Sequence, residues 1–519
     1  MVWKIIKLGR DIVLTIENKS LGPFELVGTI LSVVFIRSLL EIFSNTGMIA
    51  HPSVFLVQFP VWYMTVFVGL TIVISLSLQR DTIKVVKVIV AFAFITLIPP
   101  VVDLLFYRRG GMNYIFTLKD INKPLTEPLK IYITFFFNIN RLPQGVSPGI
   151  MVEAYFIVVL VFIYGMLFKK GILRSFIASF LSYSLIYFFA IIPYIVGKLE
   201  LWLKASGIIS PYSALNIEQS CLIFLVLFLF ILVIIVKKGA LIGYFLSIRF
   251  FRLLHYFIVF LFGIYVGIGY NWKNFKALNH GKFFLSFMVI LLSAVGAAIF
   301  NDITDFHSDR INKRNSPFVR GILGKSELGL ISGVAFVLSF LCGLVVSYPL
   351  LYFGFVLFAL SFIYSSPPVR FKRFPILQTV VLGMISVVSA LVGYMYTDEY
   401  FPHNILDFPE NYMLALLILV AVGGNIKDFG DEKGDKEGGI LTIPVLLGES
   451  FARFLLGLCV TILFGLIPTF LHFGAIYIAL GWIMGFLSLI MLVKRFSPDI
   501  VFALYYIYFL LVLFSGKIR

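Results

Sequence analysis

The sequence predicts an all-α protein that crosses a membrane many times, and three observations support this fold class. The chain has 519 residues, of which 60% are hydrophobic and only 13% are charged, whereas a soluble domain of this size needs more charge to cover its surface. Its mean hydropathy is +1.01. Apolar runs of about 20 residues recur from end to end, and one helix of that length spans a bilayer.

The first half of the chain is predicted to form an N-terminal membrane domain of six helices over residues 1–244. The apolar stretch 131–138 is too short to cross, so we expect it at the membrane interface. The first residues are basic and interrupted by charge, which is typical of a cytosolic leader and not of a cleavable signal peptide. The six predicted spans lie near 25–44, 56–78, 85–106, 150–168, 174–196 and 220–236.

The second half, residues 245–519, is predicted to contain nine spans. A basic, glycine-containing joint from Lys237 to Arg252 separates it from the first half. The nine spans lie near 253–270, 283–300, 327–347, 350–365, 375–397, 411–426, 451–470, 474–494 and 498–515.

The charge balance fits a membrane protein better than a nucleic-acid-binding protein. Lys and Arg total 42 against 26 Asp and Glu, a net charge of +16, but the basic residues concentrate in short loops, where they fix topology by the positive-inside rule. Some of this charge is also suited to anionic lipid heads. In the second half, the loops after the second, fourth, sixth and eighth spans carry basic residues. We therefore expect a multi-pass membrane protein with these loops in the cytosol.

The strongest chemical signal is the segment NDITDFHSD from Asn301 to Asp309, at the end of an apolar helix. Asp302, Asp305 and Asp309 are spaced i, i+3, i+7. If the helix continues through the segment, the three carboxylates share one face.

A second acidic segment, KDFGDEKGD from Lys427 to Asp435, repeats this spacing at Asp428, Asp431 and Asp435. Clustered carboxylates repel one another unless a cation lies between them. Mg²⁺ prefers such oxygen ligands and commonly shares them with substrate phosphates. Although one acidic loop is usually only solvated charge, two matched clusters at same-side helix ends predict a shared site for metal and diphosphate.

A third segment, YSSPPVRFKRFP from Tyr364 to Pro375, follows another apolar helix. Its double proline forces an extended turn, after which Arg370, Lys372 and Arg373 lie on the same side as the acids. These cations suit the binding of a diphosphate, and positive-inside topology explains them about equally well.

Together the three segments resemble the UbiA superfamily of intramembrane prenyltransferases over about residues 245–519. That family has NDxxDxxxD after its second helix, YxxPP with basic residues after its fourth, and DxxxD after its sixth. The longer run KDFGDEKGDKEGGILTIPVLLG is also similar to the family pattern. The resemblance implies a ring of nine helices around a cavity open to the membrane. It also implies transfer of a prenyl chain from a prenyl diphosphate to a lipophilic acceptor.

The resemblance further implies roles for individual residues. One Mg²⁺ would be held by Asn301, Asp305 and Asp309 and another by Asp431 and Asp435, with Asp302 and Asp428 as supports. Of these, Asp305, Asp309, Asp431 and Asp435 are the predicted catalytic residues. The predicted substrate-binding residues are Arg370, Lys372, Arg373, Lys427, Arg314 and Tyr364.

Two departures from the family leave the acceptor open. The chain has Asn315-Ser316-Pro317 where many members have Asn-Arg-Pro, so Arg314 or Arg320 is expected to replace the missing arginine. Gly424-Asn425 stand where archaeal ether-lipid members often have Arg-Glu. An ether-lipid glycerol phosphate, an aromatic quinone precursor and a sugar phosphate all stay possible, and the run DRINKRNSP favours the first slightly.

One alternative belongs to another class, a transporter or channel that uses the acids as a cation site. Transport sites usually lie near the bilayer midplane on broken helices, whereas these acids follow their helices into polar loops, so the enzyme is favoured. The first half has only acids scattered singly along the sequence, such as Asp103 and Glu153. We therefore predict that residues 1–236 are not needed for the chemistry.

Overall fold

The structure is a computed structural model. Its described residues fall into two compact units, one ending with the helix that closes at Val236 and the other starting with the helix that opens at Phe250. The predicted boundary between 244 and 245 lies outside the described residues. These residues are 2–20, 23–44, 57–107, 115–135, 147–206, 216–236, 250–311, 318–366, 370–430, 432–437 and 441–515.

Among its described residues, the secondary structure of the N-terminal unit is entirely helical, with short 3-10 segments at Ala93–Leu97 and Leu118–Asp120 and a π-helical turn at Asp103–Tyr107. Helix α3 is the most buried of its membrane-length helices and packs against α8 and α10. The α-helices are α1 Val2–Asn18, α2 Pro23–Ser44, α3 Phe59–Leu78, α4 Thr82–Phe92, α5 Ile98–Val102, α6 Thr126–Thr134, α7 Pro148–Leu167, α8 Ile172–Ala190, α9 Ile192–Ala205 and α10 Ile217–Val236.

Prolines shape two parts of this unit. Pro99 and Pro100 lack backbone N–H groups, so the long apolar run from Thr82 cannot stay a regular α-helix and passes through the 3-10 segment into α5. The predicted span 174–196 is two helices in the structure. Helix α8 ends at Ala190 and α9 begins at Ile192 with Pro193 in its first turn, because Pro193 has no N–H to donate to the carbonyl four residues earlier and its ring crowds that carbonyl.

Among its described residues, the secondary structure of the C-terminal unit is likewise entirely helical, with 3-10 segments at Trp272–Ala277, Phe371–Arg373, Ile405–Asp407 and Gly424–Gly430. Each of the nine predicted spans coincides with a helix in this part of the chain. The helices are α11 Phe250–Gly267, α12 His280–Thr304, α13 Phe306–Ile311, α14 Lys325–Val346, α15 Tyr348–Ser365, α16 Pro375–Tyr396, α17 Glu410–Gly423, α18 Glu432–Glu437, α19 Ile443–Leu447, α20 Glu449–Phe470, α21 Ala475–Val493 and α22 Pro498–Phe514.

Small residues let the C-terminal helices approach closely, as in other membrane bundles. Helices α11 and α16 pack along their length. A Cβ on Gly263 would lie 1.8 Å from the Ala390 carbonyl oxygen, and one on Gly393 would lie 2.1 Å from that of Phe260. Only glycine allows this backbone contact, which fixes α16, the helix that follows the basic segment.

The predicted fold class is confirmed. Among the described residues, 12 helical segments are long and apolar enough to cross a membrane, and two shorter apolar helices, Leu253–Gly267 and Pro498–Phe514, accompany them. The chain is a multi-pass integral membrane protein, because unsatisfied backbone polar groups are excluded from the lipid core and helices satisfy their own.

Candidate active site

The first acidic segment begins where α12 ends. Helix α12 closes at Thr304, and Asp305 caps it with φ −102° and ψ 6°, after which the short helix α13 carries Asp309. The helix therefore does not continue straight through the segment. The backbone N–H groups of Asp305 and Asp309 still donate to the carbonyls four residues earlier. Both carboxylates are buried, whereas Asp302 is half-buried.

Asp305 is the centre of a charged cluster. Its Oδ1 accepts a hydrogen bond of 2.8 Å from Arg370 Nη2, and its Oδ2 accepts one from Lys372 Nζ and one of 2.7 Å from Asn301 Nδ2. The side chain of Asp305 is only 4% exposed, so these charge-assisted bonds form away from bulk water, where they are strong. One buried acid thus faces two cations.

The basic segment reaches Asp305 through a tight turn. Arg370 has a positive φ of 44°, an uncommon conformation for a residue other than glycine, and it opens the 3-10 segment Phe371–Arg373. The turn directs Arg370 and Lys372 at Asp305, and Lys372 is buried there. Arg373 is exposed instead, so the structure separates this predicted substrate-binding residue from the other two.

The second acidic segment starts in the 3-10 segment Gly424–Gly430, which buries Asp428. Asp428 Oδ2 accepts a hydrogen bond of 2.8 Å from Gln378 Nε2, and its Oδ1 lies 4.0 Å from Lys427 Nζ. Lys427 also donates to the Tyr364 hydroxyl at 3.0 Å. Two predicted substrate-binding residues, Lys427 and Tyr364, are therefore in direct contact.

The two acidic segments meet. Helix α13 directly follows Asp305, and helix α18, Glu432–Glu437, lies in the second segment; the two short helices pack against each other. This supports the expectation that both segments face one space. Some predicted site residues lie outside the description: Arg314 and Asp431 as whole residues, and Asp435 in its side chain.

The sequence interpretation missed three contributors to this region. Ser365 donates to Asn301 Oδ1 at 3.0 Å, Gln378 binds Asp428, and the Arg453 guanidinium lies 4.4 Å from the centre of the Phe429 ring, within the second acidic segment. The sequence does indicate a polar contact at Gln378, since an amide in the first turn of an apolar helix needs a hydrogen-bond partner. Arg453 had none, because its contact depends on how α20 packs.

The donor chemistry of this region fits Mg²⁺, which takes carboxylate and amide oxygens. Asn301, Asp305, Asp309 and Asp428 supply such oxygens on the segments that meet. Among the described side chains, no three Asp, Glu, His or Cys residues lie close enough together to form a metal site. Both predicted ligands of the second Mg²⁺, Asp431 and the side chain of Asp435, fall outside that description, so the metal-ligand assignment stays a prediction.

Residues 260–512 match the sequence profile of the UbiA prenyltransferase family. The C-terminal half of this chain belongs to that family. The predicted resemblance over about 245–519 is thereby confirmed, and with it the prediction of an enzyme that transfers prenyl groups. The alternative of a transporter or channel is not supported.

Similar proteins include archaeal enzymes and solved structures. The digeranylgeranylglyceryl phosphate synthase of Sulfolobus acidocaldarius is 29% identical over 202 residues, which are 38% of this chain and 69% of that protein. The protein of the same name from Pyrococcus horikoshii is 23% identical and spans 42% of this chain and 74% of its own length. The structure of a UbiA homolog from Archaeoglobus fulgidus, at 18% identity and a TM-score of 0.38, covers 53% of this chain and 98% of that chain.

Proposed function

We propose that the C-terminal unit transfers a prenyl chain from a prenyl diphosphate to the hydroxyl of a lipophilic glycerol phosphate, with Mg²⁺ as cofactor. The observation that carries this proposal is the buried Asp305 with Arg370 and Lys372, beside the contact of α13 and α18. The acceptor class is supported by the names of the relatives, which are digeranylgeranylglyceryl phosphate synthases. A glycerol-phosphate ether lipid is therefore favoured over an aromatic or sugar-phosphate acceptor.

The residues of the site suit such a transfer. Asn301, Asp305 and Asp309 on one segment, with Asp428, Asp431 and Asp435 on the other, would hold Mg²⁺, which when bound neutralises negative charge on a diphosphate. Arg370, Lys372 and Lys427 supply cations, and Tyr364 a hydroxyl, for the diphosphate oxygens. As the bond between prenyl carbon and diphosphate oxygen breaks, the electron pair leaves with the diphosphate. The acceptor oxygen bonds to that carbon and loses its proton.

Water must be kept from the electrophilic prenyl carbon. Phe300 and Phe362, close in sequence to Asn301 and Tyr364, stack with ring centres 5.7 Å apart, and we propose that they lie beside the path of the prenyl chain. Such rings exclude water and leave the acceptor hydroxyl as the main nucleophile. We expect the long chains of both substrates to reach the site through the lipid.

The test is product analysis with the purified full-length protein in lipid vesicles. Labelled prenyl diphosphates are offered with a prenylglyceryl phosphate, an aromatic quinone precursor or a sugar phosphate, and products are identified by mass spectrometry. We expect an ether product only with the first acceptor, its loss in EDTA and its return with Mg²⁺. Exclusive prenylation of another acceptor contradicts the acceptor class, and full turnover after metal stripping contradicts the metal.

We also propose that the site lies on the cytosolic side, as the positive-inside rule implies. Glu437, at the end of α18, and Leu406, beyond the far end of α16, are both exposed. A cysteine at Glu437 should react with an impermeant reagent from the cytosol, and one at Leu406 from outside. The reverse pattern would invert the proposed topology.

A further inference from the structure

The second acidic segment contains a long 3-10 stretch, the seven residues Gly424–Gly430. Runs of 3-10 helix longer than about three or four residues are uncommon, because their hydrogen-bond geometry is poorer than that of an α-helix. The position of this stretch therefore depends on side-chain contacts with neighbouring helices. The stretch carries Asp428 and directly precedes Asp431 in the sequence, so these contacts bear on the proposed metal site.

Three consecutive side chains of this stretch reach three different helices. One turn of a 3-10 helix has three residues, so neighbouring side chains point about 120° apart. The three contacting pairs are Lys427 with Tyr364 of α15, Asp428 with Gln378 of α16, and Phe429 with Arg453 of α20. The stretch is thus held from three sides.

Arg453 is itself fixed at the ends of two helices. Its guanidinium carbon lies 4.4 Å from the centre of the Phe429 ring, and both residues are only 7% exposed. Its Nε donates to Glu449 Oε1 at 2.9 Å, and its Nη1 lies 3.5 Å from the Leu492 carbonyl oxygen near the end of α21. A cation is favourable at the C-terminal end of a helix, and its attraction to an aromatic ring is strongest away from water.

The third pair differs from the other two in chemistry. The first two include Lys427 and Asp428, which we propose for the diphosphate and the metal. Arg453 instead contacts Phe429, whose ring has no oxygen or nitrogen to offer either ligand. A displacement of about 1 Å at a reacting site can cost about 10²-fold in rate. We propose that Arg453 is a positioning residue, which holds Phe429 and thereby fixes Asp428 and Lys427; this inference rests on the proposed function.

The test measures metal binding apart from turnover, in the purified full-length protein. Thermal melting is followed as Mg²⁺ is added with geranyl thiodiphosphate, an unreactive substrate analogue, since a ligand of the folded state raises the melting temperature. The data give an apparent Kd for Mg²⁺. We expect Arg453→Met to raise this Kd about tenfold, the lower end of what supporting residues of metal sites contribute. A lower melting temperature with an unchanged Kd would mean a structural role only and would overturn the inference.

A double-variant comparison tests the contact from its other side. Phe429→Leu keeps an apolar side chain but removes the ring, and it also serves if Arg453→Met fails to fold. If the two residues act through their contact, combining both changes should raise the Kd no further than either change alone. Losses that simply multiply would show that the residues act separately, against the proposal. Arg453→Lys keeps a cation beside the ring and should raise the Kd less than Arg453→Met.

Arg495→Met is the matched control. Arg495 lies 3.9 Å from the same Glu449, but its side chain is 61% exposed, so this variant should keep the wild-type Kd and turnover. An equal shift in Arg495→Met and Arg453→Met would mean that charge around Glu449 matters and not the contact with the ring, which contradicts the inference.

The outcomes also separate this inference from the proposed function. If the wild-type protein binds Mg²⁺ with the analogue and Arg453→Met binds it equally well, only the positioning role falls. If the wild-type protein is not stabilised by Mg²⁺ with the analogue, the proposed metal site and the positioning role fall together. Prenylation of a different acceptor contradicts only the proposed acceptor, and a raised Kd in Arg453→Met supports the positioning role in that case too.

Discussion

Both units place an arginine against a buried carboxylate, but the two clusters differ in charge and in their place on the helices. At Asp305 one acid meets two cations where α12 ends. At Arg37 one cation meets two acids within α2 and α7. The first arrangement keeps positive charge available for an anionic group, and the second does not. Similar residue types therefore form two clusters with opposite ratios of acidic to basic side chains.

The largest expected effect is at Asp305, the centre of the first cluster. Asp305→Asn removes the charge but keeps the shape, and we expect kcat/KM to fall by on the order of 10²–10³ or more, as when one charge-stabilising group is lost. Asp305→Ala is a poorer test, because it removes both oxygen atoms that accept hydrogen bonds from Arg370 and Lys372 as well as the charge, and removing the partner of a buried charge costs about 3–5 kcal/mol of stability.

Asp499→Asn is the matched control, since Asp499 is exposed at the start of α22. It should keep wild-type turnover and melting temperature. Prenyl transfer is measured with saturating Mg²⁺, and folding is checked by thermal melting in detergent. Wild-type rates in Asp305→Asn would show that this cluster is structural only.

The sequence alone predicts the cluster at Asp305 but not the cluster at Arg37. Asp305 belongs to a spaced motif at a helix end, and the basic residues after Pro367 and Pro368 stand in a loop where cations are conspicuous. Glu153 is a single acid in an apolar helix, 116 positions after Arg37 in the sequence. Its meeting with Arg37 depends on the packing of α7 against the proline-broken run, which one sequence does not specify.

In the fold, too, the helices could be predicted from the sequence, whereas the contacts between distant residues could not. Apolar length predicts the helices, because each must satisfy its own backbone in lipid. The sequence does not predict that α12 bends at Asp305, because hydrogen bonds from Arg370 and Lys372 act there across more than 60 residues of sequence. Nor does it distinguish buried Lys372 from exposed Arg373, which are neighbours in one basic run.

That difference between neighbours gives the second prediction. Lys372→Met should lower kcat/KM about 10²-fold, because it removes a buried cation from the place where diphosphate charge develops. Arg373→Met should change it little, since the guanidinium is exposed and screened. Both variants are compared in one transfer assay across prenyl diphosphate concentrations. Equal losses would mean that the basic segment acts through its total charge and not through the geometry at Asp305.

A smaller effect is expected at Gln378, which contacts the second acidic segment and not the first. Gln378→Leu removes the hydrogen bond to Asp428, and supporting residues of metal sites typically contribute about 10- to 100-fold in metal affinity or activity. We expect the Mg²⁺ concentration for half-maximal rate to rise about tenfold. Gln378→Glu should be worse, because it places a second carboxylate against Asp428. If both variants kept the wild-type Mg²⁺ dependence, Asp428 would have no role in binding the metal.

The smallest effect should come from removing the first unit. The profile match begins at residue 260, and every contact described at Asp305 and Asp428 is made within the C-terminal unit. A fragment of residues 237–519 should therefore keep kcat at saturating substrates, since kcat reports interactions within the bound complex. If the first unit only gathers lipid, the apparent KM for the acceptor changes while kcat does not.

Thermal melting with and without Mg²⁺ checks that the fragment is folded and binds metal. A folded, metal-binding fragment without turnover would contradict this prediction, because it would show that the first unit builds part of the active site.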